Sequence, residues 1–293
     1  MIKTVLLTGA TGFFGSHLCE RLVHDGYNVI ILKRSTSDTW RIADIMDQLI
    51  SYDIDKTPLS RTFIDNEINA VIHAATNYGR KKESIPEIVD ANLMFPLQVL
   101  ELASKNNVEV FLNTDTTLSK DINYYSLSKK QYREWLKKYS ERLKIFNLKL
   151  EHLYGEKDST DKFITMVIDS FLKSKEEIKL TEGDQVRDFV YVGDVVQAYI
   201  KILGNLSNHN KQFTGYSLGS GTGTTIREIV GKIKSLTNNT GTRTEFGAIK
   251  YRKNEIMKSV ADISKVSKDL GWIPRTSLES GLQKTVEWQA RHI

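Results

Sequence analysis

Two residues in the stretch NYYSLSKKQY (residues 123–132) have types and spacing suited to proton transfer. In a helix, Tyr125 and Lys129 lie one turn apart on the same face, whereas Tyr124 at the same spacing meets the uncharged Ser128. A free tyrosine has a pKa of about 10, and a nearby ammonium lowers it by favouring the phenolate. The spacing therefore indicates a general acid or base, Tyr125, tuned by Lys129. Such pairs also occur by chance on solvated helices, so the surrounding elements must decide.

A glycine-rich stretch near the N-terminus, LLTGATGFFGSHL (6–18), is typical of phosphate binding. Gly9 permits a tight turn, Gly12 lets a pyrophosphate approach the backbone, and Gly15 lets the following helix pack on the sheet. Exposed N–H groups and the helix dipole favour an anion there. The strand–turn–helix context predicts a dinucleotide site, and the alternative is a structural turn. The predicted site also includes Thr11, Phe13 and Phe14.

The second predicted strand ends in VIILKRSTSD (29–38), with Lys33 and Arg34 where an NAD site usually has an acidic residue for the ribose 2′-OH. A carboxylate would repel a 2′-phosphate, whereas the Arg34 guanidinium matches one with paired hydrogen bonds. We therefore predict NADP(H) as the cofactor. The alternative is that both are solvated charges and that the cofactor is NAD.

The end of the fourth predicted strand is assigned to the same cofactor. Ala74 and Ala75 are small enough to let a ligand approach closely, and we interpret His73 as a structural hydrogen-bonding residue rather than a base. The remaining strand-end residues assigned to the cofactor are Asp53, Ile54 and Thr76.

Strand-like and helix-like runs alternate over the first 115 residues and must position these groups. The alternation predicts a parallel sheet covered by helices on both faces, and right-handed crossovers make it a doubly wound α/β fold. The predicted strands are Thr4–Thr8, Asn28–Leu32, Gln48–Tyr52, Ala70–His73 and Val110–Asn113, and the predicted helices include Gly15–Asp25 and Glu87–Lys105.

Beyond about Tyr154 the pattern is less regular, with helices predicted around Phe163–Lys173 and Leu278–Arg291. We interpret this part as a smaller α+β substrate lobe. The predicted boundaries are 1–153 with 187–217 for the dinucleotide-binding domain, and 154–186 with 218–293 for the substrate lobe.

Composition excludes several classes of protein. The 293 residues carry a net charge of +5, from 41 basic residues scattered among 36 acidic ones, so no nucleic-acid surface is predicted. No apolar run reaches the ~20 residues that span a bilayer, and MIKTVLLTGATG predicts a first strand rather than a signal peptide. The single cysteine, Cys19, is expected to pack in a helix and fits a reducing cytoplasm. We predict no metal site.

The glycine turn, the Tyr125/Lys129 pair and the stretch GDQVRDFVYVGDVVQAY (183–199) resemble the extended branch of the short-chain dehydrogenase/reductase superfamily. This branch contains nucleotide-sugar epimerases, dehydratases and reductases. The resemblance implies that Tyr125 protonates a carbonyl oxygen while nicotinamide delivers hydride, and that Lys129 also binds the nicotinamide ribose. It implies that Thr114, in VFLNTDTTL, holds the substrate oxygen, and that Asn92 supports the active-site backbone near the cofactor.

The residues after Thr114 argue against dehydration. The family's 4,6-dehydratases have Thr-Asp-Glu here, with Glu as the base for water elimination, whereas this chain has Thr114-Asp115-Thr116. Proton abstraction beside the carbonyl therefore lacks its usual base. Asp115 and Thr116 are kept as candidates for contacting the sugar.

Basic residues in the second half are implied to bind the substrate diphosphate. The resemblance assigns this role to Arg187 and, in KYRKNEIM (250–257), to Arg252, because guanidinium groups match phosphate oxygens. The alternative for each is an ion pair with a neighbouring acid. The stretch LKLEHLYGEKD (148–158) departs from the family's R-x-x-N-x-Y-G-P, with Lys149 for Arg and Glu156 for Pro. The other candidate substrate residues are Thr76, Glu151, His152, Lys162, Phe163 and Glu255.

Less common runs, among them FLNTD, EFGAI and NEIMKSVAD, are similar to reductases that act on CDP-linked 4-keto-deoxyhexoses for bacterial surface polysaccharide. We therefore expect NADPH-dependent reduction of a 4-keto group. One alternative is a nucleotide-sugar 4-epimerase with tightly bound NAD, and another is a non-catalytic NADP-sensing protein. The family further implies a homodimer formed through the helices at Glu87–Lys105 and Tyr125–Lys144.

Overall fold

The computed structural model describes residues 2–206 and 212–293, and the chain folds into two compact units. The first unit contains Met1–Leu150 and Val196–Tyr216, and the second contains Glu151–Val195 and Ser217–Ile293.

The strands are short, and most of those in the first unit are apolar. They are β1 (Thr4–Thr8), β2 (Asn28–Lys33), β3 (Ile50–Asp53), β4 (Ala70–His73), β5 (Val110–Thr116), β6 (Lys144–Leu150), β7 (His152–Tyr154), β8 (Glu177–Leu180), β9 (Val186–Tyr191), β10 (Phe213–Leu218), β11 (Gly223–Thr225), β12 (Arg243–Phe246) and β13 (Lys258–Ser259).

The helices follow the strands in alternation through the first unit. They are α1 (Phe13–His24), a 3₁₀ helix (Trp40–Gln48), α2 (Leu59–Asp65), α3 (Ile85–Val89), a π-helical segment (Asp90–Met94), α4 (Phe95–Lys105), α5 (Tyr124–Tyr139), α6 (Phe163–Leu172), α7 (Val192–Gly204), α8 (Ile226–Leu236), α9 (Ser264–Leu270) and α10 (Leu278–Ala290).

The first unit is built on a seven-stranded sheet with the order β3-β2-β1-β4-β5-β6-β10. Neighbouring strands from β3 to β6 are parallel. Thr8, His73 and Asn113 are in register across β1, β4 and β5, so the loops after these strands start at the same edge. The order reverses at β1/β4, which is where doubly wound folds bind ligands. The predicted fold class is confirmed.

One core cluster of the first unit packs on one face of this sheet and includes Val99, Tyr132 and Leu136 from α4 and α5. Cys19 is fully buried in α1, as expected for a packing residue, and burial followed by the charge of Glu20 raises the pKa of its thiol to about 12.

The second unit has its own core and two small sheets. β9 pairs with β7, β11 and β13, β8 pairs with β12, and α10 packs on α6 and α8. The two compact units are divided differently from the predicted domains. Residues 151–153, 187–195 and 217 of the predicted first domain lie in the second unit, where β7 and β9 pair with each other. Residues 207–211 of the predicted first domain lie outside the described part of the chain.

Several predicted elements have different ends in the structure. The helix expected at Glu87–Lys105 begins at Ile85 and is interrupted by the π-helical segment. The helix expected to reach Lys144 ends at Tyr139, because Lys144 starts β6, and the third strand starts at Ile50 because Gln48 ends the 3₁₀ helix. Within residues 2–206 and 212–293, no helix is long and apolar enough to cross a membrane, and no group of side chains could hold a metal ion.

Candidate active site

The reacting residues predicted from sequence lie where β5 ends and α5 begins. Asn123 caps α5, accepting a hydrogen bond from the Ser126 N–H at 2.8 Å, and the Ser126 hydroxyl accepts one from the Asn123 N–H. This capping box fixes the start of the helix. Tyr125 is thereby held in the first turn and Lys129 one turn later, on the face that packs against the sheet.

The Tyr125 ring is covered by a second tyrosine. The Tyr78 and Tyr125 ring centroids are 5.0 Å apart, with the planes inclined at 44°. Burial raises the pKa of the Tyr125 phenol above its usual value, and the phenol of Tyr78 and the carboxylate of Asp115 act in the same direction. A hydrogen bond with the Thr116 side chain and the charge of Arg80 oppose this rise. The direction is opposite to the one expected from sequence, because burial outweighs the charge of Arg80 and the hydrogen bond with Thr116.

Lys129 is the buried cation of the site, with 2% of its surface exposed. Burial lowers the pKa of its ammonium to about 8, Asp115 acts to raise it, and the charge of Lys130 lowers it further. Lys129 is therefore charged at neutral pH and close to losing its proton. Such a group can donate hydrogen bonds to ribose hydroxyls and influence a neighbouring phenol.

Asp115 points into the protein. Its carboxylate accepts hydrogen bonds from the Asn147 side chain at 2.9 Å and from the Thr116 N–H at 2.7 Å, and it forms an ion pair with Lys130 at 3.3 Å. The side chain is fully buried. This arrangement makes Asp115 a counter-charge for Lys129 and Lys130, and its contact with a sugar stays a prediction.

Thr114 has a partner that the sequence did not indicate. Its hydroxyl lies 2.8 Å from the phenol oxygen of Tyr199, in α7. Tyr199 is fully buried and packs against Phe14, with ring centroids 5.0 Å apart. Thr114 and Thr116 are two residues apart in β5, so their side chains share one face of the sheet.

Asn92 joins three segments of the first unit. Its side-chain oxygen accepts hydrogen bonds from the Asn77 N–H at 2.8 Å and the Thr76 hydroxyl at 3.1 Å. Its amide donates to the Asn77 carbonyl at 2.8 Å and to the Ser128 hydroxyl at 3.1 Å. Asn92 lies in the π-helical segment, a deviation that is frequent at functional sites. It therefore links the loop after β4 to α5.

The glycine turn is closely packed. Gly9 has φ +75°, and a Cβ there would lie 2.6 Å from the Ala75 nitrogen, while a Cβ on Gly15 would lie 2.0 Å from the Gly9 oxygen. No side chain caps the α1 N-terminus, which begins after Gly12. Thr11, Phe13 and Phe14 lie in or beside this turn. A small backbone cradle at an uncapped helix start fits a pyrophosphate.

His73 is buried behind this cradle as a structural residue. The Thr8 hydroxyl oxygen accepts the N–H groups of Ala74 and Ala75 at 3.2 Å, so its own hydrogen is left for His73 Nδ1 at 2.8 Å. Burial lowers the pKa of His73 well below its usual range, with Lys129 acting in the same direction. A neutral histidine with this contact is not a base for the reaction.

The basic residues after β2 differ in their partners. Lys33 forms an ion pair with Asp53, so its charge is already matched, and the Ile54 N–H donates to the Lys33 carbonyl at 2.9 Å. Arg34 is exposed. Arg41 was not predicted from sequence; its guanidinium donates to the Thr11 carbonyl at 3.4 Å and lies 4.5 Å from the centre of the Trp40 ring. Arg41 is therefore anchored beside the glycine turn.

In the second unit, Arg187 forms an ion pair with Glu255 at 2.6 Å, which is the alternative considered for it from sequence. Burial lowers the pKa of Arg187, and Glu255 and Glu151 oppose this. The exposed Arg252 belongs to the same turn as Glu255, whose N–H donates to the Arg252 carbonyl at 3.0 Å.

The other predicted substrate residues of the second unit lie on two elements. Glu151 is buried, accepts from the Ser259 hydroxyl at 2.9 Å and lies 3.5 Å from His152 Nδ1. Lys162 precedes α6, and Phe163 begins that helix and packs on the core of the second unit.

The chain is similar to proteins that are named as nucleotide-sugar enzymes. Residues 5–215 match the NAD dependent epimerase/dehydratase family. The chain is 35% identical to CDP-abequose synthase of Salmonella typhimurium, over 97% of each chain, and 29% identical to a putative UDP-glucose 4-epimerase of Methanocaldococcus jannaschii, also over 97% of each. The structure of a Thermotoga maritima UDP-glucose 4-epimerase has the same fold, with a TM-score of 0.87, 24% identity and 99% of each chain covered.

Proposed function

Because the chain belongs to the NAD dependent epimerase/dehydratase family, we propose that it is an NADPH-dependent reductase of the 4-keto group in a CDP-linked deoxyhexulose. The product, formed in the cytoplasm, would be a CDP-deoxyhexose such as CDP-abequose, which is used for bacterial surface polysaccharide. The first unit would bind NADP(H) and the second the nucleotide sugar. The proposed chemistry rests on the Tyr125/Lys129 pair in the first turns of α5. The proposed substrate class rests on the sequence identity to CDP-abequose synthase.

Each residue of the proposed site has one task. NADPH, when bound, supplies the hydride. Tyr125 gives its proton to the carbonyl oxygen of the sugar, Thr114 holds that oxygen, and Lys129 binds the ribose and stabilises the charge left on Tyr125. Thr116 occupies the place of the dehydratase glutamate and has no carboxylate, which favours reduction over elimination.

The proposed cofactor preference is supported by Arg34 and Arg41. Lys33 is paired with Asp53, so these two arginines are the cations that would meet a 2′-phosphate. In the second unit, Arg187 and Arg252 would bind the substrate diphosphate.

A homodimer is supported by an apolar stripe on α5. Tyr124, Leu127 and Trp135 are exposed at spacings of three and eight residues, and Ile85 and Met94 are exposed along the neighbouring helix. Exposed apolar residues grouped in this way mark interaction surfaces.

The alternative function is a nucleotide-sugar 4-epimerase, which the similarity to the Methanocaldococcus jannaschii protein favours. The two are separated by incubating the purified protein with NADPH and a panel of CDP-, dTDP- and GDP-linked 4-keto-6-deoxy sugars. A reductase consumes NADPH stoichiometrically with one CDP-sugar, and the product's configuration is then read by NMR. Protein that carries tightly bound NAD, interconverts a 4-hydroxy sugar and consumes no NADPH would overturn the proposal. Tyr125→Phe is the matched negative control.

A further inference from the structure

The loop after β4 carries two residues that no motif assigns to the reaction. Tyr78 covers the ring of Tyr125 at 5.0 Å between centroids, and the Arg80 guanidinium lies 5.3 Å from the centre of the Tyr78 ring. Arg80 therefore contacts Tyr78, and Tyr78 in turn contacts Tyr125, the proposed proton donor.

The backbone of this loop is fixed at Asn77 and Gly79, on either side of Tyr78. The Asn77 side chain accepts from the Gly79 N–H at 2.9 Å, and the Asn77 backbone is bonded on both sides by Asn92. Gly79 has φ +65°, and a Cβ there would lie 2.7 Å from the Ile88 side chain. Both constraints favour glycine at this position. The direction of Tyr78 is thus set by residues on either side of it.

A positive charge at this place has a chemical use. When Tyr125 gives up its proton, its O–H bond breaks and the oxygen retains a negative charge that must be stabilised in a buried site. The groups acting on this phenol are Tyr78, Asp115 and Arg80, with Thr116 as the hydrogen-bond partner. Lys129, one turn away, loses its own charge above about pH 8. A guanidinium keeps its charge throughout this range.

We propose that Tyr78 and Arg80 are working residues of the active site, with Tyr78 positioning the ring of Tyr125 and Arg80 stabilising the negative charge that Tyr125 acquires. The use of this charge in sugar reduction rests on the proposed function. The contacts of Arg80 with Tyr78 and of Tyr78 with Tyr125 belong to the protein alone, so their effect on Tyr125 can be tested without substrate.

The first test measures kcat/KM against pH for Arg80→Gln, Arg80→Lys and the control Lys81→Gln, which removes a charge from the adjacent exposed residue. Arg80→Gln should lower kcat/KM by about 3- to 30-fold, more strongly above pH 8, because one unit of phenol pKa corresponds to a factor of ten. Arg80→Lys should restore part of the loss, and Lys81→Gln should match the wild type. Tyr78→Leu should lower kcat/KM several-fold more than Tyr78→Phe, which keeps the ring. An Arg80→Gln profile that coincides with that of Lys81→Gln would refute the role of Arg80.

The second test needs no activity. Tetranitromethane nitrates tyrosine as the phenolate, and trypsin releases Tyr124 and Tyr125 together in the peptide 121–129. The ratio of nitrated Tyr125 to nitrated Tyr124, read by mass spectrometry at pH 9, should fall about 3- to 10-fold in Arg80→Gln and stay constant in Lys81→Gln. An unchanged ratio in Arg80→Gln overturns the inference. If no sugar is reduced but the ratio falls, the proposed function fails and the role of Arg80 stands.

Discussion

The hydroxyl of Thr114 and the phenol of Tyr199 are hydrogen-bonded at 2.8 Å, although the two residues are 85 positions apart in the chain. Tyr199 is fully buried, and burial raises the pKa of its phenol, so it stays protonated. The protonated phenol of Tyr199 therefore sets the rotamer of Thr114, the residue proposed to hold the substrate oxygen.

Tyr199→Phe therefore tests whether Thr114 needs an orienting partner. We expect kcat to fall about tenfold with a smaller change in KM, and the free energy of unfolding to fall by about 1 kcal/mol through loss of one buried hydrogen bond. Thr114→Val should cost more activity than Tyr199→Phe, and Thr114→Ser should retain most of it. Steady-state kinetics and urea unfolding measure both quantities. An unchanged kcat in Tyr199→Phe would contradict the orienting role.

The buried ammonium of Lys129 predicts a pH-dependent stability. Its pKa falls from 10.5 to about 8 on folding, so between these values the unfolded chain binds more protons and stability rises with pH. At neutral pH, Lys129→Met should therefore increase the free energy of unfolding, by up to roughly 3 kcal/mol from a shift of about 2.5 units. The variant should also lose activity. Urea denaturation of both proteins from pH 7 to pH 10 measures the difference, which should shrink as pH rises, and a constant difference would contradict the assignment.

Cofactor preference should depend on the two arginines near the glycine turn. Arg34→Gln or Arg41→Gln should weaken NADPH binding by about tenfold or more while leaving NADH binding nearly unchanged, because charge-assisted hydrogen bonds to a 2′-phosphate are worth about 1.5–3 kcal/mol. Fluorescence titration with each dinucleotide provides the dissociation constants. Arg291→Gln, an exposed arginine at the end of α10, is the control. Equal losses for NADPH and NADH would show that neither arginine reads the phosphate.

Asn92 should be sensitive to an isosteric change. Asn92→Asp keeps the acceptor toward Asn77 and Thr76 but removes the amide donated to the Asn77 carbonyl and Ser128. We expect a loss of about 2–3 kcal/mol in the free energy of unfolding, because a buried carboxylate then faces a carbonyl without a donor. Hydrogen exchange should become faster in residues 76–80. Gln98→Glu, which adds the same charge at an exposed site of α4, should change neither measurement.

The apolar stripe on α5 predicts the oligomeric state. Leu127→Glu combined with Trp135→Glu should convert a dimer into a monomer, because two charges would have to be buried in the interface. Light scattering after size-exclusion chromatography measures the mass. Ile64→Glu, at an exposed apolar residue on α2, should leave the mass unchanged. A wild-type monomer at micromolar concentration would reject this surface as the dimer interface.

Helical and strand periodicity made much of this molecule predictable from sequence. A four-residue spacing distinguishes Tyr125 from Tyr124 as the tyrosine that pairs with Lys129, because the period of the helix decides which residues share a face. The glycine turn is equally local, since Gly9 and Gly15 are required by contacts within the turn itself and with the end of β4. The doubly wound sheet follows from alternation and crossover handedness.

The surroundings of these residues were not predictable, because they depend on tertiary contacts. Tyr78 and Tyr199 reach the reacting residues from a loop and a helix that carry no motif for that role, and Glu255 meets Arg187 across 68 residues. The pKa of Tyr125 depends on how deeply the phenol is buried, which spacing does not encode. Among these missed residues, only Arg41 could have been found from the sequence, because it is a basic residue shortly after β2.

The ion pair between Arg187 and Glu255 would make binding of the proposed substrate diphosphate an exchange of counter-ions. A diphosphate bound at the same guanidinium nitrogen would release the carboxylate of Glu255, which lies 2.6 Å from it. Neutral sugars lack a charge that competes for this arginine, so they leave the pair closed. The released Glu255 is then an acceptor for hydroxyl or amino groups of the same ligand. The affinity of the second unit for its ligand would thus depend on the difference between the Arg187–diphosphate and Arg187–Glu255 salt bridges. A ligand with both an anion for Arg187 and a hydrogen-bond donor for Glu255 would make that difference favourable.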